Sequence, residues 1–157
     1  MSLIPPHQRV YVDEAGVEDT LSYAYGWSHK GKRCPGERLG HRTQRVSMAA
    51  AFCQSQVLAP LTFEGMCDSA LVEAWFEQQL APVLRPGQVV ILDNASFHRM
   101  SRLREILAQV QCCLLPLPPY SPDLNLIEPL WNALKRRIAL DDAAYESFQL
   151  KVDAAFL

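Results

Sequence analysis

The chain has 157 residues, of which 49% are hydrophobic and 20% are charged, and its formal net charge is −2. This size and balance predict one globular domain with a sizeable core, and they exclude a disordered chain and a strongly basic, free-standing nucleic-acid binder. The sequence has neither an apolar run of 18 residues nor a signal-peptide core at its N-terminus, so we expect a soluble, cytoplasmic protein that does not engage a membrane.

The first third of the chain predicts an antiparallel β-meander. Residues 9–13 alternate apolar and polar side chains, so Asp13 and Glu14 should point to opposite faces of the first strand. The Ala15-Gly16 pair is expected to end this strand. Further strands are predicted at 21–27, at 46–53 and, more weakly, at 56–63.

A basic connection lies between residues 28 and 45. It sets Glu37 alone against six cationic side chains, which are Lys30, Lys32, Arg33, Arg38, Arg42 and Arg45. An acidic chain with one basic segment suits a protein whose acidic centre lies beside a basic arm. A solvated loop without a ligand accounts for the charges equally well.

The middle of the chain predicts alternating helices and strands. Asp68 or Ser69 can cap a helix that runs to about Leu84, and residues 89–92 form a continuous apolar run, typical of a strand buried on both faces. That strand ends in Asp93-Asn94. A second helix over 99–110 and a short buried strand over 112–115 follow.

A proline-rich turn then leads into an amphipathic helix that ends near Leu140. Asn125 can cap this helix, which makes Glu128 its third residue, or the helix can begin at Glu128 itself, and both starts remain open. Apolar residues spaced by four in the tail predict a terminal helix. We therefore expect a domain over 1–140 and a helical tail over 141–157 that packs on it or on a partner.

Three antiparallel strands followed by helix–strand–helix–strand–helix is the element order of a ribonuclease H-like fold, an α/β architecture with a mixed five-stranded sheet. Asp13 and Asp93 each end a strand, and the helix that carries Glu128 can fold over the same end of the sheet. Three carboxylates at one point repel each other unless cations bind between them. Oxygen ligands suit Mg²⁺ or Mn²⁺, and two such ions about 3.5–4 Å apart can clamp the attacking and leaving oxygens of a phosphodiester. For Glu128 alone, a glutamate of a capping box is the structural alternative.

Three sequence blocks resemble the motifs of the DDE transposases in the mariner-like insertion-sequence superfamily. They are Val12-Asp13-Glu14-Ala15-Gly16, Leu92-Asp93-Asn94-Ala95-Ser96-Phe97-His98, and the stretch from Pro119 to Trp131. The 34 residues between Asp93 and Glu128 match the spacing of the bacterial branch of that family. The resemblance implies that Asp13, Asp93 and Glu128 are the catalytic, metal-binding triad, with Mg²⁺ or Mn²⁺ as the two ions. It also implies cleavage of double-stranded DNA at element ends and joining of those ends to target DNA, by a homodimer in the active complex.

Two departures from the family pattern bear on function. Leu126 stands where the family usually has proline, which should cost little helix preorganisation. The helix-turn-helix domains that precede the catalytic domain in the family have no counterpart before residue 9, so we expect a separately encoded helix-turn-helix half or a truncated element. The alternative function is a catalytically silent remnant that only binds DNA or a partner.

A second group of side chains is predicted to support the site or to contact DNA. Asn94 and Asn125 are the supporting candidates, each with a turn or capping role as the alternative. His98 can contact a phosphate, although a packing role suits it as well. The predicted DNA contacts are Lys30, Lys32, Arg33, Arg42, Arg45, His98 and Lys135.

Overall fold

The computed structural model describes residues 3–19, 29–32, 44–118, 121 and 124–157. The strand predicted at 21–27 and the predicted DNA contacts Arg33 and Arg42 lie outside these ranges.

Five strands form one mixed sheet in the order β3-β2-β1-β4-β5. The strands are β1 (Arg9–Glu18), β2 (Arg45–Cys53), β3 (Gln56–Glu64), β4 (Val89–Leu92) and β5 (Cys113–Pro116). β1 pairs antiparallel with β2, and β2 with β3, whereas β4 runs parallel to both β1 and β5. The predicted mixed five-stranded sheet is therefore confirmed.

The α-helices of the described residues are α1 (Ser69–Trp75), α2 (Met100–Gln109), α3 (Glu128–Leu140) and α4 (Phe148–Ala154). A π-helical turn over Phe76–Leu80 and a 3₁₀ turn over Ala81–Val83 continue α1. This change of helix type fits the presence of Pro82, which cannot donate a backbone hydrogen bond. Among the described helices, none has the length and apolarity to cross a membrane.

The two faces of the sheet pack against different helices, because successive side chains of a strand alternate in direction. Val10, Val12 and Val90 join the cluster that contains the buried side chains of α1 and α2. Tyr11 and Ile91 join the opposite cluster, which contains the buried side chains of α3 and α4. The odd-numbered positions of β1 therefore face α3, and the even-numbered positions face α2.

The expected end of β1 at Ala15-Gly16 was wrong. β1 continues to Glu18, and Gly16 pairs with Ser47 of β2. The Arg45 guanidinium packs over Gly16, where the Nη2 atom lies 2.7 Å from the position that a Cβ would take. Glycine here serves close packing within a strand. The weakly predicted strand at 56–63 is β3, the edge strand of the sheet.

Of the side chains predicted as possible caps for α1 and α3, only the one at α1 forms a cap. Asp68 caps α1, since its carboxylate accepts a hydrogen bond from the Leu71 amide at 2.8 Å. α3 begins at Glu128, with Pro129 as its second residue, so the second of the two predicted starts is correct. Asn125 does not cap α3. Its side-chain amide donates instead to the Val12 carbonyl in β1, at 3.5 Å.

Candidate active site

The parallel pairing of β1 and β4 brings two predicted acids to one level of the sheet. The last paired residues are Tyr11 in β1 and Ile91 in β4. Asp13 and Asp93 each lie two residues beyond that pair, Asp13 within β1 and Asp93 directly after the end of β4. The carboxyl end of β4 therefore meets the middle of β1, next to both carboxylates.

Asp13 faces α3 and is held by an indole. The Trp131 Nε1 atom donates a hydrogen bond to Asp13 Oδ2 at 2.9 Å. Burial is the main cause that raises the pKa of Asp13 to about 7; the nearby carboxylates Glu14 and Glu128 act in the same direction, and the indole bond opposes them. At neutral pH this carboxyl group therefore lies near the midpoint of its titration.

Glu128 reaches the site from the first turn of α3. It is exposed, and the buried Trp131 follows it by three residues, so the two side chains lie on neighbouring turns of one helix face. The Trp131 bond to Asp13 thus fixes the end of α3 that carries Glu128 against β1. Asn125 lies one turn earlier, and its buried Oδ1 has no hydrogen-bond partner among the described residues.

Asp93 is held differently, by a cation and a backbone amide. His98 Nδ1 lies 3.2 Å from Asp93 Oδ1, and the Ala95 amide donates to the same oxygen at 3.2 Å. The hydrogen bond from His98 holds the pKa of Asp93 below its usual value, and burial opposes this shift. Asp93 is therefore ionised and oriented at neutral pH, and its side chain remains 49% exposed.

His98 bridges Asp93 to a further acid, Glu14. The other ring nitrogen, Nε2, lies 3.1 Å from Glu14 Oε1, and the imidazole is fully buried. Burial lowers the pKa of His98, but the hydrogen bonds and charges of Asp93 and Glu14 outweigh burial and raise it to about 10. The ring is therefore an imidazolium that donates from both nitrogens.

The acids around the end of β4 thus make two sets of contacts. Asp13 lies with Trp131 and Glu128 on the α3 side of β1, whereas His98 joins Asp93 to Glu14, whose side chain faces the α2 side of β1. Within the described ranges, one set of possible metal ligands has its atoms within 4.8 Å of one another, and that set is Glu14, Asp93 and His98. The triad of Asp13, Asp93 and Glu128 stays a prediction.

The remaining predicted site residues lie at varied depths. Asn94 is exposed directly after Asp93, and Lys30, Lys32 and Arg45 are exposed as well. Lys135 is half-buried on α3. His98 is buried, so its ring contacts the acids of the site and not the surface.

Sequence reasoning did not identify Glu14 as a partner of His98 or Trp131 as a partner of Asp13. A signal was present for both. Glu14 directly follows Asp13 in the first motif block, and Trp131 follows Glu128 at the spacing that places two residues on one helix face. Neither signal identifies the partner, because each partner comes from a distant part of the chain.

Comparison with solved structures defines the fold class as ribonuclease H-like. The chain is similar to a Mos1 strand transfer complex, with a TM-score of 0.73 and 20% identity over 95% of this chain and 46% of that one. It is also similar to a mariner Mos1 paired end complex with Mg, with a TM-score of 0.67 and 20% identity over 96% of this chain and 48% of that one. The catalytic core domain of BIV integrase matches with a TM-score of 0.57 and 14% identity, over 96% of this chain and 81% of that one.

The sequence itself matches the family model of the DDE superfamily endonucleases over residues 8–150, and the chain belongs to that family. The predicted family resemblance is therefore confirmed. No curated protein matches the sequence. The chain spans just under half of the length of the Mos1 chains in the two complexes.

Proposed function

We propose that this domain is the catalytic part of a transposase that cuts DNA strands and transfers the cut ends to a target, with divalent metal ions held by Asp13, Asp93 and Glu128. The observation that carries this proposal is the placement of Asp13 and Asp93 at one level of adjacent parallel strands, with Glu128 on the helix that is bonded to Asp13 through Trp131. Family membership supports the same chemistry.

The donor set fits a hard divalent cation. Carboxylate oxygens are the ligands that Mg²⁺ and Mn²⁺ prefer. The raised pKa of Asp13, about 7, reflects burial and the neighbouring carboxylates Glu14 and Glu128. A cation bound beside Asp13 would offset both effects. Asp93 keeps a half-exposed carboxylate whose hydrogen bonds both fall on Oδ1, so Oδ2 is the atom available to an ion.

Divalent ions at this position would activate the attacking oxygen and stabilise the leaving oxygen of a phosphodiester. The residues of the chain have distinct tasks around them. Asp93 is held ionised by His98, whereas Asp13 must lose its proton before it can bind an ion. Glu128, exposed at the start of α3, can adjust its position as the site fills. Mg²⁺ or Mn²⁺ as the ion, and two ions as the number, are parts of this proposal.

The substrate we propose is double-stranded DNA, at element ends and at a target. The exposed cations Lys30, Lys32 and Arg45 are suited to phosphate contacts. Arg45 lines a groove of about 580 Å³ that also borders Glu14. Homodimer formation in the active complex, a separately encoded helix-turn-helix half, a tail domain over 141–157 and a cytoplasmic location stay predictions.

The test is a strand-nicking assay with the 157-residue chain and DNA taken from either side of its reading frame. We expect nicking that requires Mg²⁺ or Mn²⁺ and that is abolished by chelation. Asp13→Ala, Asp93→Ala and Glu128→Ala should each abolish it, because each removes a ligand. Glu105→Ala, which changes an exposed carboxylate on α2, is the matched control and should cut like the wild type.

Undiminished nicking by any of the three ligand variants would reject the triad. If the wild type does not cut, the assay is repeated with the product of the reading frame immediately upstream. Nicking that appears only with that product supports the split arrangement. Absence of nicking in both assays supports the non-catalytic remnant.

A further inference from the structure

We propose that Glu14 is a positioning residue of the metal centre, acting on Asp93 through His98. This inference rests on the proposed function, since it assigns to Glu14 the task of holding a proposed metal ligand. Glu14 would be a fourth acid of the site. It would bind no ion itself, unlike the three proposed ligands.

The contacts form an unbroken chain across the end of the sheet. Glu14 Oε1 lies 3.1 Å from His98 Nε2, and His98 Nδ1 lies 3.2 Å from Asp93 Oδ1. Glu14 and Asp93 come from adjacent parallel strands, whereas His98 comes from the loop that leads into α2. One buried ring therefore joins β1 to the end of β4.

The exposure of the three side chains separates the ligand from its supports. The side chain of Asp93 is 49% exposed, that of Glu14 is 14% exposed and the imidazole is fully buried. An ion that arrives from solvent reaches Asp93 first. Glu14 contacts the other ring nitrogen, where it can orient the imidazole, and it exposes less of its side chain than Asp93 does.

The loop around His98 is itself anchored, so the ring has few other positions. The His98 amide donates to the Ala95 carbonyl at 3.0 Å, and the Ser69 hydroxyl donates to the Phe97 carbonyl at 2.6 Å. The rings of Phe97 and His98 pack edge to face, with centroids 4.4 Å apart. Glu14 supplies the last restraint, at the ring nitrogen that points away from Asp93.

The alternative is that Glu14, Asp93 and His98 bind an ion directly, since their ligand atoms lie within 4.8 Å of one another. Each ring nitrogen already faces a carboxylate oxygen, so an ion at either nitrogen would have to displace one of these contacts. The geometry therefore favours a hydrogen-bonded support over a histidine ligand.

The experiment measures Mn²⁺ binding by electron paramagnetic resonance, which does not depend on DNA cleavage. Loss of a supporting partner typically weakens metal binding by roughly 10-fold or more, and we expect that loss in Glu14→Ala. Glu14→Gln keeps an oxygen that can accept from the ring and should retain part of the affinity. Glu18→Ala, an exposed acid on the same strand, is the matched control and should bind like the wild type.

Thermal melting of each variant establishes that it is folded, and Glu14→Gln serves if Glu14→Ala does not fold. Wild-type affinity in both folded Glu14 variants would overturn the positioning role while leaving the triad intact. A nitrogen coupling in the Mn²⁺ spectrum that disappears in His98→Gln would overturn it too, because the ring would then be a ligand. A wild type that binds no Mn²⁺ would refute the metal centre, and with it both proposals.

Discussion

Replacing Trp131 by phenylalanine tests the bond that links α3 to Asp13. The variant keeps an aromatic ring in the buried site but removes the indole N–H that donates to Asp13 Oδ2 at 2.9 Å. Hydrogen bonds to charged groups contribute roughly 1.5–3 kcal/mol, against about 0.5–1.5 kcal/mol for bonds between neutral groups. The cost of the substitution should therefore depend on whether Asp13 is ionised.

The chain offers a matched control in Trp75. It is as buried as Trp131, and its indole N–H donates to the neutral carbonyl of Ala59 at 2.8 Å. Trp75→Phe loses a similar volume and one hydrogen bond, so the shared packing loss cancels in the comparison. At alkaline pH, Trp131→Phe should cost about 1 kcal/mol more than Trp75→Phe, because its bond goes to a charged oxygen.

The pH dependence follows from the pKa of Asp13, about 7. The indole bond favours the ionised carboxylate, so its loss raises the folded-state pKa of Asp13 further above the unfolded value. When folding raises the pKa of a carboxyl group, the free energy of unfolding of the protein falls as the pH rises through that pKa. The loss of unfolding free energy caused by Trp131→Phe should thus be smaller at pH 5.5 than at pH 8. The difference should be about 1 kcal/mol if the substitution raises the pKa of Asp13 by one unit.

Urea unfolding of the wild type and both variants without metal, at pH 5.5 and pH 8, gives the free energies of unfolding from which the penalties are calculated. Mn²⁺ titration of the same proteins should show weaker binding for Trp131→Phe and wild-type binding for Trp75→Phe. A penalty for Trp131→Phe that is the same at both pH values, together with unchanged Mn²⁺ binding, would refute the reasoning.

Three further substitutions or conditions test other parts of the structure. Asp68→Ala removes the cap of α1 and should lower the unfolding free energy by about 1 kcal/mol in urea titrations, with Mn²⁺ binding unchanged. Thr62→Val breaks the hydrogen bond from β3 to Asp153 of α4, so amide exchange in α4 should accelerate; unaltered exchange would contradict this anchoring role. The pKa of His98 is raised to about 10 in the folded protein. The contribution of the charged ring to stability is therefore fully present below about pH 6.5 and is lost as the pH rises towards 10. Unfolding free energy should fall by a few kcal/mol between pH 7 and 10 in the wild type and by less in His98→Gln.

Local patterns in the sequence predicted the elements that carry the site. The apolar run before Asp93 is β4, and the alternation of β1 correctly turned Asp13 and Glu14 to opposite faces. The contacts bear this out, since Asp13 meets α3 through Trp131 while Glu14 meets the loop before α2 through His98. These features depend on short-range periodicity, which is legible in a single sequence.

The wrong strand end and the helix cap that does not form have a shared physical cause, which is competition from distant partners. Ala15-Gly16 has the composition of a strand end, but β2 pairs with β1 as far as Glu18 and so continues the strand. Asn125 has the side chain of a helix cap, but its amide is taken by the Val12 carbonyl, 113 residues away in the chain. In both places tertiary hydrogen bonds outweigh a local preference.

The two bonds that distinguish the acids of the site are of the same long-range kind, with a sequence separation of 118 for Trp131 and Asp13 and of 84 for His98 and Glu14. They give Asp13 and Asp93 unequal charge states. The imidazolium keeps Asp93 ionised, whereas a neutral indole leaves Asp13 with a pKa of about 7. In the proposed metal centre, Asp93 would be the ligand that is already ionised, and Asp13 would gain most from a cation. Metal binding should therefore release a proton from the α3 side of the site, and it should tighten the contact that holds Glu128 in place.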